Sequence, residues 1–420
     1  MIDHDFDRLD DEAAELVTVL DVGTGTVRAL IAEVQASRDA SPRRDVRVLG
    51  VGQTSSPFAL DAFGFQPEAL ARSINTAVGQ AEVMAKTTAR RVWVALPCVK
   101  MKSQLVTRSV SLPAGRVREE DLRKLQGQLG QAGPPKEGYT PVHALPRRYD
   151  VDGVRVVTAP VGQSGRRLSA EWQFLYAPQA LIKGVLDALA ARRGVEVVGM
   201  MLSVLAVGRS LDAQRNPKES VLVVDIGENV TTVGLWAQGL VMGEAFAFGG
   251  RQLTQEVVKT FGCSEQEATR LKHLAGVKGP GADAASIRGD EQENHRIARF
   301  VVLGPRIGEF FAHLRAHMER RGLEVGRLRV ELMGGTASIE GIADEARRVL
   351  GASNCRVVTP DTRRLGGVVD ALCDPGSASL VGLLHWRVVN PDGAVWFDPS
   401  SRQPIRRISR TVMALVDRLF

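Results

Sequence analysis

Residues 221–236 read VLVVDIGENVTTVGLW. The run 221–224 is apolar and β-branched, as a buried strand requires. Asp225 ends it, Gly227 marks a tight turn, and 230–235 resumes a strand-like pattern. A strand–Asp–x–Gly–turn–strand hairpin puts one carboxylate and several free backbone N–H groups at a strand tip. Such N–H groups can hold phosphate oxygens, and the carboxylate can hold a hydrated divalent cation. A plain hairpin with a charged turn has the same pattern, so this stretch alone decides little. A second copy decides more. Residues 17–34, VTVLDVGTGTVRALIAEV, repeat the apolar run, the acid (Asp21), the glycine (Gly23), the turn and the strand. Two such hairpins about two hundred residues apart predict two related half-molecules facing each other across a cleft.

At 420 residues the chain has room for two or three domains. Aromatic residues make up only 5%, so its core must rest on Val, Leu, Ala and Ile. The net charge of +6 is unevenly spread: residues 1–15 carry seven acids against Arg8, and 402–420 carry five arginines against Asp417. Cys98, Cys263, Cys355 and Cys373 share no short metal-ligand spacing and read as free thiols of a reducing compartment. The first fifteen residues lack the basic and apolar regions of a signal peptide and read as a disordered acidic arm. No apolar run reaches the roughly 18–20 residues of a membrane-spanning helix. Outside the C-terminal tail the basic residues form no stripe with interleaved aromatics, which argues against nucleic acid.

Along the chain, helical spacing is predicted over 67–85, with Leu70, Ile74, Ala77, Ala81 and Met84 on one side, and a buried strand over 91–96. Residues 97–177 change texture and read as a small α+β insertion. A helix follows over 178–193, with Gly194 as its C-terminal cap. Beyond the second hairpin, Ser264 and Glu267 form a capping-box pattern. Residues 296–321 have helical period, and strand 328–333 runs into Gly334-Gly335 and a helix over 339–350. That turn and helix start would lie beside a nucleoside.

Taken together, strand–Asp21 loop, strand–Asp225 loop and strand–Gly334-Gly335–helix are far more specific than any one of them. The set resembles the actin-like ATPase superfamily. Within it, residues 16–420 resemble the bacterial cell-division family FtsA. The strings that carry this are VLGVGQTSS, INTAVGQAEVMA, HALPRRYDVDG with APVGQSGRRLSAE inside the insertion, FGGRQLTQEVV with SEQEATRLKHLAG, and RRLGGVVDALCDPGSASLVGLLHW. The resemblance implies an α/β fold: two ribonuclease-H-like halves around a nucleotide cleft, an α+β insertion domain in the first half and a C-terminal amphipathic helix. It implies a first subdomain at 16–96 and 178–215, the insertion at 97–177, a second subdomain at 216–249 and 323–387, and a partner-binding subdomain at 250–322. A linker at 388–403 and a membrane-targeting helix at 404–420 complete it.

Carried over residue by residue, Asp21, Gly23, Thr24, Gly25 and Thr26 match the first phosphate loop, and Asp225 and Gly227 the second. Lys272 matches the base-contacting helix, and Gly334 and Gly335 the adenosine turn. ATP is the implied nucleotide, with Mg held through water by Asp21 and Asp225. The departures are pointed. Thr26 stands where the family has a lysine, Glu228 and Asn229 replace two glycines, and Thr232 replaces an acid. Thr269 replaces a ribose-contacting glutamate, and Thr336-Ala337 replace Gly-Ser. A side chain in place of glycine restricts close backbone approach to phosphate, and Glu228 adds like charge. These losses predict weak or absent hydrolysis, with nucleotide binding still open.

The tail PIRRISRTVMALVDRLF sets Ile405, Ile408, Val412, Leu415, Val416 and Leu419 on one side at helical spacing. Arg406, Arg407 and Arg410 flank that side, Phe420 ends it, and Pro404 suits a first helical turn. It is too short to span a bilayer and reads as an interfacial helix on anionic lipid at the cytoplasmic face. One such helix attaches reversibly, so stable anchoring needs several side by side, as in a filament. The resemblance further implies binding of the acidic, apolar FtsZ C-terminal tail, with Arg251, Arg296, Arg299 and Arg306 supplying charge. It also implies recruitment of later division proteins through the insertion, self-association into filaments, and location at midcell. Two other readings stay open: a PilM-like protein of type IV pilus assembly, and an active actin-fold ATPase or kinase.

Overall fold

The structure, a computed structural model, describes residues 14–36, 44–59, 64–128, 137–156, 160–211, 219–237, 239–277 and 298–390. The acidic arm before residue 14, most of the 388–403 linker and the whole 404–420 tail lie outside these residues.

The first half opens with β1 (Glu15–Val22), β2 (Thr26–Ala36) and β3 (Arg44–Ser55), an antiparallel meander. A two-stranded hairpin, β4 (Phe58–Ala59) and β5 (Gly64–Phe65), leads to α1 (Pro67–Ala85). Leu70, Ile74, Ala77 and Ala81 are buried as their spacing predicts, whereas Met84, in the last turn, is exposed. Pro67 sits in the first turn, where no intrahelical N–H bond is forfeited. β6 (Arg91–Leu96) then pairs parallel to β1.

The insertion is a separate four-stranded antiparallel sheet. It holds β7 (Lys102–Ser111), α2 (Glu119–Gly127), β8 (Tyr139–Val151), β9 (Val154–Val156) and β10 (Arg167–Pro178), ordered β7-β10-β8-β9. Asp152-Gly153, both at positive φ, make the tight β8–β9 turn, as an Asp-Gly pair between strands predicts. Its core, around Trp172, Phe174 and Tyr176, is distinct from those of the two halves.

The chain returns through α3 (Gln179–Ala190), β11 (Glu196–Leu202) and α4 (Ser203–Arg209). Gly194 is not the cap of α3. The helix ends at Ala190, and Gly194 (φ 82°) instead turns the chain into β11.

In the second half come β12 (Val221–Ile226), β13 (Thr231–Trp236), β14 (Leu240–Phe246), α5 (Gly250–Phe261) and α6 (Glu265–Ala275). Ser264 caps α6, its hydroxyl accepting from the Glu267 N–H at 3.2 Å. The helical period predicted over 296–321 resolves into a π turn (Ala298–Leu303) and α7 (Gly304–Arg320). β15 (Arg329–Met333), α8 (Ile342–Leu350), β16 (Asn354–Val357), β17 (Leu365–Gly367) and α9 (Ala378–Val389) follow.

The duplication read from the sequence is explicit in the sheets. Order β3-β2-β1-β6-β11 in the first half repeats as β14-β13-β12-β15-β16 in the second, with the same parallel and antiparallel senses. The span 323–387, expected as one piece of the second half, is divided. β17 pairs with β3, and α9 packs on α4 and β1 in the first core. That core runs on into Val221, Val223 and Trp236 of the second sheet, so the halves share a floor at α4 and α9. The helices meet closely there: a Cβ on Gly382 would stand 1.7 Å from the Ala206 carbonyl oxygen.

Candidate functional site at the junction of the halves

Both hairpins end in one turn geometry. The Gly23 N–H donates to the Thr26 carbonyl at 3.1 Å, and the Gly227 N–H to the Val230 carbonyl at 3.0 Å. The register places Asp21 directly opposite Arg28, and Asp225 directly opposite Thr232. The acids therefore occupy equivalent positions in the two halves, one facing a cation and one a hydroxyl.

The two loops touch. The Asn229 backbone N–H donates to Thr24 Oγ1 at 3.2 Å, and Asn229 Nδ2 donates to the Thr24 carbonyl at 3.0 Å. Glu228 Cβ stands 2.5 Å from where a Cβ on Gly25 would lie, so that glycine makes room for the contact. A third segment joins them after β15. Gly334 adopts φ 89°, which favours glycine, and a Cβ there would also strike the Ile226 carbonyl and the Asp225 carboxylate. Its N–H donates to the Pro375 carbonyl at 2.9 Å. Gly335–Ser338 is a 3₁₀ turn, and α8 starts only at Ile342. The helix N-terminus expected right after the glycines is thus displaced by one short turn. Thr336 Oγ1 ties this turn to the Gly227 carbonyl at 2.8 Å.

All ten residues expected at a nucleotide line one cavity of about 260 Å³: Asp21, Gly23, Thr24, Gly25, Thr26, Asp225, Gly227, Lys272, Gly334 and Gly335. The volume lies just below the roughly 300–1,000 Å³ usual for small-molecule pockets, in keeping with the direct Thr24–Asn229 contact. Lys272 differs from its expected role as a contact to the base. It is 2% exposed, and its Nζ donates to the Gly250 carbonyl at 3.0 Å. Glu228 Oε2, Thr336 Oγ1 and Lys272 Nζ all converge within 3 Å of where a Cβ on Gly250 would be. Glu228 therefore turns inward toward Lys272 rather than out to solvent. Burial lowers the Lys272 pKa, and the Glu228 charge partly offsets this.

Burial also dominates the two acids. It lifts Asp21 to about 7, against the opposing pull of Arg28 and with a further push from Asp225. It lifts Asp225 to about 6, again opposed by Arg28. The donor set fits a divalent cation poorly. Both carboxyls resist ionisation, a guanidinium faces them, and no cluster of three His, Cys, Asp or Glu forms among the described residues.

Sequence reading passed over Arg28, Cys98, Ser203, His273, Gly376 and Ser379, which also line the cavity. Arg28 was within reach, because hairpin register sets the residue seven after Asp21 opposite it. Cys98 carried no signal. It packs at 3.3 Å from Ser203 Oγ, and burial pushes its thiol up to about 11, so it is inert. Arg251 and Arg306 lie outside the cavity, on α5 and α7. Arg306 pairs with Glu309 and Glu256. Arg296 lies outside the described residues, as does the side chain of Arg299.

Comparison with known proteins fits this geometry. The family described as "SHS2 domain inserted in FTSA" matches residues 99–176, and "Cell division protein FtsA" matches 222–382. The cell division protein FtsA of Rhizobium meliloti (strain 1021) is 26% identical over 394 residues, covering 90% of this chain and 88% of that one. FtsA of Escherichia coli (strain K12) is 25% identical over 393 residues, covering 89% and 90%. Among solved structures, the PilM-PilN type IV pilus biogenesis complex superposes with a TM-score of 0.62 at 18% identity, covering 89% of this chain and 98% of that one, a likeness of fold. Two matches to one family, together spanning more than half of the chain, and relatives aligned along about nine-tenths of it settle the assignment: the chain belongs to the FtsA family of actin-like cell-division proteins.

Proposed function

We propose that this chain is an actin-like scaffold of the bacterial division ring, attached peripherally to the cytoplasmic face of the membrane. The observation that carries the reading is the FtsA-type insertion domain seated between β6 and α3 of a duplicated actin-like body. On this reading the 404–420 helix binds anionic lipid, copies of the chain assemble into filaments, and the insertion recruits later division proteins. The 250–322 subdomain takes the FtsZ C-terminal tail. Arg251 and Arg306 lie on its helices, and Arg306 pairs with the exposed Glu309 and the half-buried Glu256 at the surface, ion pairs of little worth that an acidic peptide can displace. No helix of the described residues is long and apolar enough to cross a membrane.

The cleft holds a nucleotide, ATP by family resemblance, with slow turnover or none. Thr232 puts a hydroxyl opposite Asp225 where an acid would be needed to polarise water, and Glu228 turns its charge inward toward Lys272. The test is fluorescence anisotropy of a labelled FtsZ C-terminal peptide titrated with the full chain. Saturable binding at micromolar concentration that weakens with salt is expected; no saturation up to about 1 mM, beyond roughly −4 kcal/mol, rejects the scaffold reading.

A further inference from the structure

We propose that Arg28 is the ligand-binding cation of this cleft, taking phosphoryl oxygens directly and standing where a divalent metal would otherwise bridge the Asp21 and Asp225 sides. Polyphosphate then binds here without metal. The identity of the ligand as a nucleotide rests on the functional reading above; its charge does not.

Asp21 pairs directly with Arg28 across β1 and β2, so their side chains leave the same face with Cβ atoms about 5 Å apart. The equivalent pair in the second half is Asp225 with Thr232. The duplication thus places one guanidinium, and no counterpart, at the mouth shared by two acids. Thr26 lies two residues before Arg28 on the same strand and faces the same side, so the cation is set deeper in the cleft than the loop itself.

The Arg28 side chain forms no hydrogen bond and no ion pair within 4.0 Å among the described residues, and its Nε is buried without a partner. Both carboxyls feel its charge from beyond contact range. A guanidinium carries five donors in a planar fork that matches phosphate oxygens. Gly376 hems it in: a Cβ there would stand 2.9 Å from Arg28 Nη2. Gly335 Cα is 3.3 Å from the same point, which brings the third cleft segment beside the fork. The other cation nearby, Lys272, already donates to the Gly250 carbonyl and has the Glu228 charge close by.

The experiment measures equilibrium binding of a fluorescent ATP analogue to the full chain, with magnesium and with excess EDTA. Arg28→Ala, Arg28→Gln and Arg28→Lys are compared, and the glutamine variant serves if the alanine one fails to fold. Thermal shift with inorganic tripolyphosphate in EDTA runs in parallel. The expected result is a wild-type Kd that changes less than about threefold on removing magnesium. Loss of at least about tenfold in EDTA is expected for the alanine and glutamine variants, with partial rescue by lysine, which keeps the charge and lacks the fork. Wild-type binding that collapses in EDTA overturns the proposal, as does analogue binding indifferent to Arg28, which leaves the nucleotide reading standing. If the analogue fails to bind but tripolyphosphate stabilises the wild type and not Arg28→Gln, the nucleotide reading falls and the Arg28 site stands. If neither ligand acts on the wild type, both fall.

Discussion

Asp21 and Asp225 show at residue scale how burial can outweigh a nearby cation. Arg28 stands opposite one and within range of both, yet desolvation holds both carboxyls well above their usual range. A carboxyl whose pKa is raised in the folded state prefers its proton there. Its contribution to stability is complete below pH 3.8, where folded and unfolded forms are both protonated, and is lost as pH rises to about 7 for Asp21. Asp21→Asn keeps the shape and cannot ionise. The unliganded variant is therefore expected to gain on wild type as pH rises from 5 to 8, by on the order of 5 °C in melting midpoint. Melting curves across that range check this, and a difference that does not vary with pH contradicts it. The acids themselves were legible in the sequence, because a strand followed by Asp-x-Gly is a local pattern. Their protonation was not, since it depends on what the other half of the chain brings up against them. Glu228 makes the same point. Its identity marked an eroded loop, but only the fold shows it turned inward to Lys272.

At the scale of elements, hairpins and amphipathic helices came through well, since each carries its own period. The spans of α1 and β6 match their predicted limits. Elements whose partners are remote in sequence did not. β17 has three residues and exists because β3 offers it an edge. α9 has an apolar sequence readable as a buried helix, but nothing local says that it packs on α4 and β1 rather than in the second half. The packing of α4 against α9 and β13 depends on small residues. A methyl on Gly382 would meet the Ala206 carbonyl oxygen at 1.7 Å, and one on Gly208 would meet the Trp236 ring at 1.9 Å. Gly382→Ala must therefore push the helices apart. The expected cost is about 2–3 kcal/mol, with a fall in melting midpoint on the order of 5 °C. Differential scanning fluorimetry reads this, and an unchanged midpoint means that the crossing is looser than described.

As a whole, the molecule is a duplicated body with one domain inserted in its first half. The duplication was visible from two hairpins, and the insertion from a change of texture between β6 and α3. What the halves do to each other was not visible, because the Thr24–Asn229 contact joins residues 205 apart in sequence. It ties the turn of one half to the turn of the other at one side of the cleft and leaves the cavity beside Arg28 open. On the proposed reading the chain joins a membrane to the FtsZ tail, and the two attachments act together. The most direct measurement is co-flotation of a labelled FtsZ C-terminal peptide with anionic vesicles, with the full chain and with a version ending at Gln403. The peptide is expected to float only when the full chain is present and to stay at the bottom with the shortened one. Peptide that remains at the bottom although the full chain floats, or that floats equally with the shortened chain, would contradict it.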